Sequence, residues 1–145
     1  MEAQATHPDP LWFVQVQITM HKLSKKHKKT DCRIWKGPRK PPTRAGKVYG
    51  YSTLKLPGDT KRKKRYAHRI AYMYAHRLLE DQLGKNKHVS HRCHNTLCVN
   101  PEHLSLEDPA VNNARTLCVR SKGCLGHGEK RDCIFYGKNY VHSEH

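Results

Sequence analysis

Between Leu11 and Met20 apolar and polar residues alternate, with Trp12, Val14, Val16, Ile18 and Met20 on one side and Gln15, Gln17 and Thr19 on the other. A period of two sustained over this length predicts a half-buried strand. A short strand-like piece, DCRIWKG, carries Cys32 and Trp35. Val48 to Leu56 reads as a further strand closed by the turn Pro57-Gly58-Asp59, and hairpin logic pairs it with the stretch around Lys61 to Tyr66. The period then changes. From Tyr66 to Glu80, Ala67, Ile70, Ala71, Tyr74 and Leu78 recur at helical spacing, leaving His68, Arg69, His76 and Arg77 on other faces. Residues 1–10 read as a disordered leader, and the Pro-rich basic segment Gly37 to Lys47 as a loop. The pattern predicts an α+β domain over residues 11–145, made of small antiparallel sheets plus helices.

Composition limits how such a domain holds together. Of 145 residues only 36% are hydrophobic and two are Phe, a thin inventory for a core, so another stabiliser is expected. Six Cys and twelve His are the candidates. No apolar run approaches the roughly 18 residues of a membrane span. The polar start, Met1 to Pro10, lacks the apolar core of a secretory signal. An intracellular location is therefore expected, nuclear if the source is eukaryotic, with Cys reduced and available to metals. With 28 Lys+Arg against 12 Asp+Glu the formal charge is +16, which points to a polyanionic partner. The run His21 to Lys29 (HKLSKKHKK) suits flanking phosphates, a nuclear localisation signal or a solvated face.

From Lys87 to Cys133 the chain is dense in Cys, His and Asn. Cys93, Cys98 and His103 offer three zinc donors within a short stretch, and Cys32, the one distant Cys, completes a set of four. Cys118, Cys124, His127 and Cys133 form a second Cys3His set, which leaves no Cys over. Full four-ligand sets belong to structural zinc, whereas a catalytic zinc keeps an open position. His88 and His94 are spare donors, and three disulfides are the alternative use of six Cys.

The run His88 to Cys118 carries Ser90-His91-x-Cys93-His94-Asn95-Thr96-x-Cys98, then Asn100-Pro101-x-His103-Leu104, then Asn112. It resembles the His-Cys box homing endonucleases, a branch of the His-Me finger (ββα-metal, HNH-like) nucleases, over roughly residues 32–133. The resemblance implies a ββα core at about 87–118 around one divalent metal, a DNA-binding sheet at about 32–66 and a second zinc loop at 118–133. It implies His91 as general base and Asn112 as the ligand of a catalytic Mg2+, on a helix starting near Pro109 with Asp108 as N-cap. Asn113 competes for the metal role. The family's Arg near the scissile phosphate has candidates in Arg62, Arg65 and Arg69, of which Arg65 is chosen. Lys55, Lys61, Arg62, Lys63, Lys64 and Arg65 would meet double-stranded DNA, with Tyr49, Tyr51, Ser52 and Lys55 available for base readout. The family forms homodimers partly through a swapped C-terminal tail. Here only Ile134 to His145 follow the last Cys, so a homodimer stays open.

The chemistry fits the residues. A neutral His takes a proton from water, and one Mg2+ relieves charge at the phosphate. The alternatives are a zinc-stabilised DNA- or RNA-binding module without cleavage, and an RNA-binding protein of ribosomal type.

Overall fold

The computed structural model describes residues 10–124, 126–127, 130–131 and 133–134. The leader expected over 1–10, apart from Pro10, and the tail from Phe135 to His145 lie outside them. The order of elements is α1 (Pro10–Lys22), β1 (Ser24–Lys26), β2 (Arg33–Trp35), β3 (Tyr51–Ser52), β4 (Arg65–Tyr66), α2 (Ala67–His76), β5 (His88–His91), β6 (Leu104–Glu107) and α3 (Pro109–Ser121). Single 3₁₀ turns occupy Glu80–Leu83 and Pro101–His103. The class is α+β, with three helices and three two-stranded antiparallel sheets, β1–β2, β3–β4 and β5–β6, among the described residues. None of these helices is long and apolar enough to cross a membrane.

The alternating segment Leu11–Met20 is a helix, which corrects the strand expectation. Positions 12, 16 and 20 satisfy a period of two and helical spacing alike, so the alternation alone did not separate them. Packing does. Trp12 and Val16 are buried against Ile70 and Met73 of α2, while Val14 and Ile18 stand 49% and 58% exposed. A strand would have buried all five on one face.

Helix α2 is the centre of the molecule. Ile70 and Met73 join Trp12, Val16, Leu56 and Leu83 in one buried cluster. Ala67 and Ala71, on its other side, let Trp35, Val89, Val99 and Leu104 approach closely in a second. Each fully buried aliphatic side chain contributes about 1.5–3 kcal/mol. The helix stops at His76 rather than Glu80. Arg77 turns into the left-handed region at φ 56°, and Leu78 N–H bonds back to Met73 C=O at 2.9 Å, which brings Leu78 onto the first cluster.

The β3–β4 pairing follows the expected hairpin, with Tyr51 opposite Tyr66 and Ser52 opposite Arg65, though the strands are shorter than expected. Trp35, fully buried, pins the loop that precedes them: its indole N–H donates to Pro38 C=O at 2.9 Å. Gly50 lies so close that a Cβ there would sit 2.1 Å from the indole ring. The β5–β6 hairpin then sets His91 opposite Leu104, and α3 starts two residues after β6. Asp108 stands at the helix N-cap with Pro109 following, but its carboxylate takes Lys87 Nζ at 2.5 Å instead of capping the helix. Glu107 and Arg115, 1% and 2% exposed, lock α3 onto β6.

Candidate functional site

Cys32 precedes β2, Cys93 and Cys98 lie in the loop between β5 and β6, and His103 ends the 3₁₀ turn before β6. Their ligand atoms all lie within 4.8 Å of one another, and all four residues are buried. His103 Nδ1 is 3.5 Å from both Cys32 Sγ and Cys98 Sγ. A tetrahedral zinc with arms of 2.0–2.3 Å sets its ligands about 3.5 Å apart, so the donors have the spacing the ion needs. Their proton chemistry agrees. Contacts with Cys93 and Cys98 hold the Cys32 thiol far below its usual range, while the Cys32 and Cys98 sulfurs push His103 up to about 9. The same contacts push the Cys93 thiol up, so the negative charge of the set concentrates on Cys32.

The second cluster joins Cys118 on α3 to Cys124, His127 and Cys133 in the segment after it. His127 Nε2 lies 3.6, 3.2 and 3.4 Å from Cys118, Cys124 and Cys133 Sγ. Burial pushes the Cys133 thiol up to about 12, opposed by Arg115, whose guanidinium donates to that sulfur at 3.4 Å. Both four-residue sets are the ones expected, and the six Cys are free thiols. Two Cys3His clusters therefore fit two structural zinc sites.

His91 ends β5, so its side chain is fixed two residues before Cys93. The ring donates to the Cys98 carbonyl, and Nε2, buried, has no hydrogen-bond partner among the described residues. The donated hydrogen thus sits on Nδ1 and Nε2 keeps its lone pair. Burial pushes His91 down to about 4, with Lys47 and His94 adding to the effect and the Cys98 carbonyl opposing it. The imidazole is neutral at pH 7. A second imidazole, His68 on α2, packs on it with ring centroids 4.2 Å apart. Burial and His91 both push His68 down, the Val89 carbonyl opposes them, and its Nδ1 is likewise buried and unpartnered.

Asn112 occupies the first turn of α3. Its amide oxygen accepts from Ser90 Oγ at 2.7 Å, and its nitrogen lies 3.0 Å from His88 Nδ1. Asn112 and His91 line one cavity of about 360 Å³ together with Tyr49, Tyr66, His68 and Arg69. The neighbouring Asn113 is exposed and does not line it.

Arg65 is elsewhere, which corrects its choice as the phosphate-contacting Arg. Its guanidinium, 6% exposed, is taken up by Asp59 at 2.7 Å and Glu80 at 2.8 Å, and it holds the Asp59 carboxyl down to about 2. It lines a cleft with Leu56, Asp59 and Met73 and is not among the residues lining the His91 cavity. The same pairing removes it from the expected DNA-binding set. Arg69, one helical turn on, reaches the cavity, where it donates to the Lys87 carbonyl at 3.2 Å while its Nε stands 3.7 Å from Glu80. Lys55, Lys61, Arg62, Lys63 and Lys64 are exposed on the β3–β4 connection. Lys64 covers the Tyr51 ring at 4.7 Å, and Ser52 is buried. Sequence reasoning passed over His68, which it placed only on another face of a helix. Its adjacency to His91 depends on how α2 crosses β5.

Residues 32–135 match a family model described as the zinc-binding loop region of homing endonuclease. No curated protein matches the chain.

Proposed function

The chain belongs to the family of the zinc-binding loop region of homing endonuclease, a nuclease-type DNA-binding domain, and on that premise we propose that it is a DNA endonuclease. It hydrolyses phosphodiester bonds of double-stranded DNA with one divalent ion, Mg2+. The observation that carries this reading is a buried imidazole nitrogen with a free lone pair, His91 Nε2, in one cavity with the Asn112 amide.

The ion's fit rests on the donor chemistry. Among the described residues no Asp or Glu lines the cavity, so Asn112 Oδ1 would be the protein ligand, and the ion would take its other ligands from phosphate and water. When bound, the ion supplies charge relief at the phosphate and at the leaving 3′-oxygen. His91 takes the proton of the attacking water on Nε2, with its ring held by the Cys98 carbonyl. The zinc cluster containing Cys98 thus acts on the base only by holding it. The incoming phosphate, an anion beside the ring, raises the affinity of His91 for that proton. Ser90 hands its hydrogen bond from Asn112 to Glu107, which it also reaches, freeing the Asn112 oxygen. Arg69 offers its guanidinium to a non-bridging phosphate oxygen.

A second reading, a binding module without cleavage, is favoured by one observation: both ends of the Asn112 amide are engaged within the fold. Incubating zinc-loaded protein with supercoiled plasmid and Mg2+ separates the two. Nicking that disappears in Asn112→Ala and His91→Ala supports the nuclease. Tight binding with no nicking across salt and pH supports the module.

A further inference from the structure

The cavity that holds His91 and Asn112 continues on their other side. A second cavity of about 460 Å³ shares Tyr49, His91 and Asn112 with the first, and is walled by the turn Ala45–Val48 and by Thr116 and Arg120 of α3. Among the described residues no Asp or Glu lines either cavity. The acids that pair with cations around them are Glu107 with Arg115, Asp108 with Lys87, Asp59 with Arg65, and Glu80 with both Arg65 and Arg69. The chain from Cys32 to Gly58 contains no acidic residue at all.

The turn on one wall is built to hold its shape. Thr43 N–H donates to Lys47 C=O at 2.8 Å, Gly46 N–H to Thr43 C=O at 2.8 Å, and Lys47 N–H to Thr43 Oγ1 at 3.1 Å. Gly46 takes φ 82°, a conformation suited to glycine. Beyond the turn, Lys40 N–H bonds Tyr49 C=O at 2.9 Å and Thr96 Oγ1 donates to Val48 C=O, which ties the loop to the zinc-bearing segment. Lys47 on this wall and Arg120 on the helix wall are both exposed and make no ion pair among the described residues.

We propose that Lys47 and Arg120 form a phosphate-binding subsite for the DNA strand next to the scissile phosphate, so that the strand runs through both cavities with His91 and Asn112 between them. The position relative to the cut rests on the nuclease reading. The binding itself does not. The ligand is the phosphodiester backbone, because the subsite offers cations on two walls and, among the described residues, no acid to read an exocyclic amine.

The test uses the full zinc-loaded chain and a fluorescent DNA hairpin, with Mg2+ omitted so that nothing is cut. The hairpin Kd is measured across added salt for wild type and Lys47→Ala/Arg120→Ala. Each phosphate contact contributes about 0.9 to the slope of log K against log salt, so the double variant should lose about 1.8. A slope within roughly 0.3 of wild type overturns the subsite. Lys47→Gln and Arg120→Gln, each expected to lose about 0.9, carry the same test if the double variant melts early. An RNA hairpin showing the same loss overturns the restriction to DNA. In the nicking assay the double variant should raise KM by the factor it raises Kd. A wild type that binds with the full slope but never nicks sinks the nuclease reading and leaves the subsite standing.

Discussion

Replacing Arg115 by Met tests how α3 is held, and the structure sets the scale. The Arg115 guanidinium donates to both oxygens of Glu107, through Nε at 2.9 and 3.0 Å and through Nη2, and spends its other hydrogens on Arg131 C=O at 2.8 Å and Cys133 Sγ at 3.4 Å. Glu107 is 1% exposed, so the substitution leaves a buried carboxylate with no counter-charge. Breaking one side of such a pair costs about 3–5 kcal/mol. Against a total stability of about 5–15 kcal/mol this is a large fraction. At about 2–4 °C per kcal/mol for a chain near this size, Tm should fall by roughly 6–20 °C. Removing both charges, in Arg115→Met/Glu107→Leu, should recover most of the loss, because the cost lies in the stranded charge. Burial pushes the Glu107 carboxyl up, but its hydrogen bonds to Arg115, Ser90 and Ser105 outweigh that and leave it lowered. The pair's contribution is therefore present above the ordinary carboxylate range and is lost as pH falls through the folded value. Calorimetry with zinc loaded provides the numbers. A single variant that melts within about 2 °C of wild type, or a double variant worse than the single, would refute the reasoning.

Three further outcomes are expected. Metal analysis of protein purified without chelator should find two zinc ions per chain, falling to one in Cys32→Ser and in Cys133→Ser; a wild type with one ion or none contradicts the two-cluster assignment. Arg69→Ala should lower nicking by about 10²-fold while melting near wild type, whereas Arg65→Ala, which strands Asp59, should lose stability; the reverse pattern would restore Arg65 as the phosphate contact. His91 titrates at about 4 in the fold against 6.5 in the open chain, so the unfolded chain binds more protons between those values. Stability should be full above pH 6.5 and fall toward pH 4, less steeply in His91→Ala; urea midpoints with equal pH slopes in the two proteins would remove His91 from that dependence.

What was legible in the sequence divides along physical lines. The zinc donors were legible because ligand chemistry admits few residue types and two Cys3His sets use all six Cys, and the structure brings the two expected sets together rather than His88 or His94. The start of α3 was legible because Asp108-Pro109 admits little else. The N-terminal helix was not, since Trp12, Val16 and Met20 fit two periods and only the position of α2 decides between them. Arg65 and Arg69 are equally basic on the page. Which one is held more tightly depends on Asp59, brought to Arg65 by a turn, and on Glu80 in the 3₁₀ turn after α2, which pairs with Arg65 at 2.8 Å and with Arg69 at 3.7 Å. His68 required the same long-range knowledge, whereas Asn112 was chosen over Asn113 through the resemblance, and a rotation of 100° on the helix leaves Asn113 exposed outside the cavity.

The central claim is that His91 takes a proton from water during phosphodiester hydrolysis. Single-turnover nicking of supercoiled plasmid, with Mg2+ and zinc-loaded protein, measures it directly. The account predicts nicked circles from wild type and a rate lower by about 10²–10⁴-fold in His91→Ala with plasmid affinity retained. Wild-type protein that binds plasmid without nicking it, or a His91→Ala variant that nicks at the wild-type rate, would contradict it.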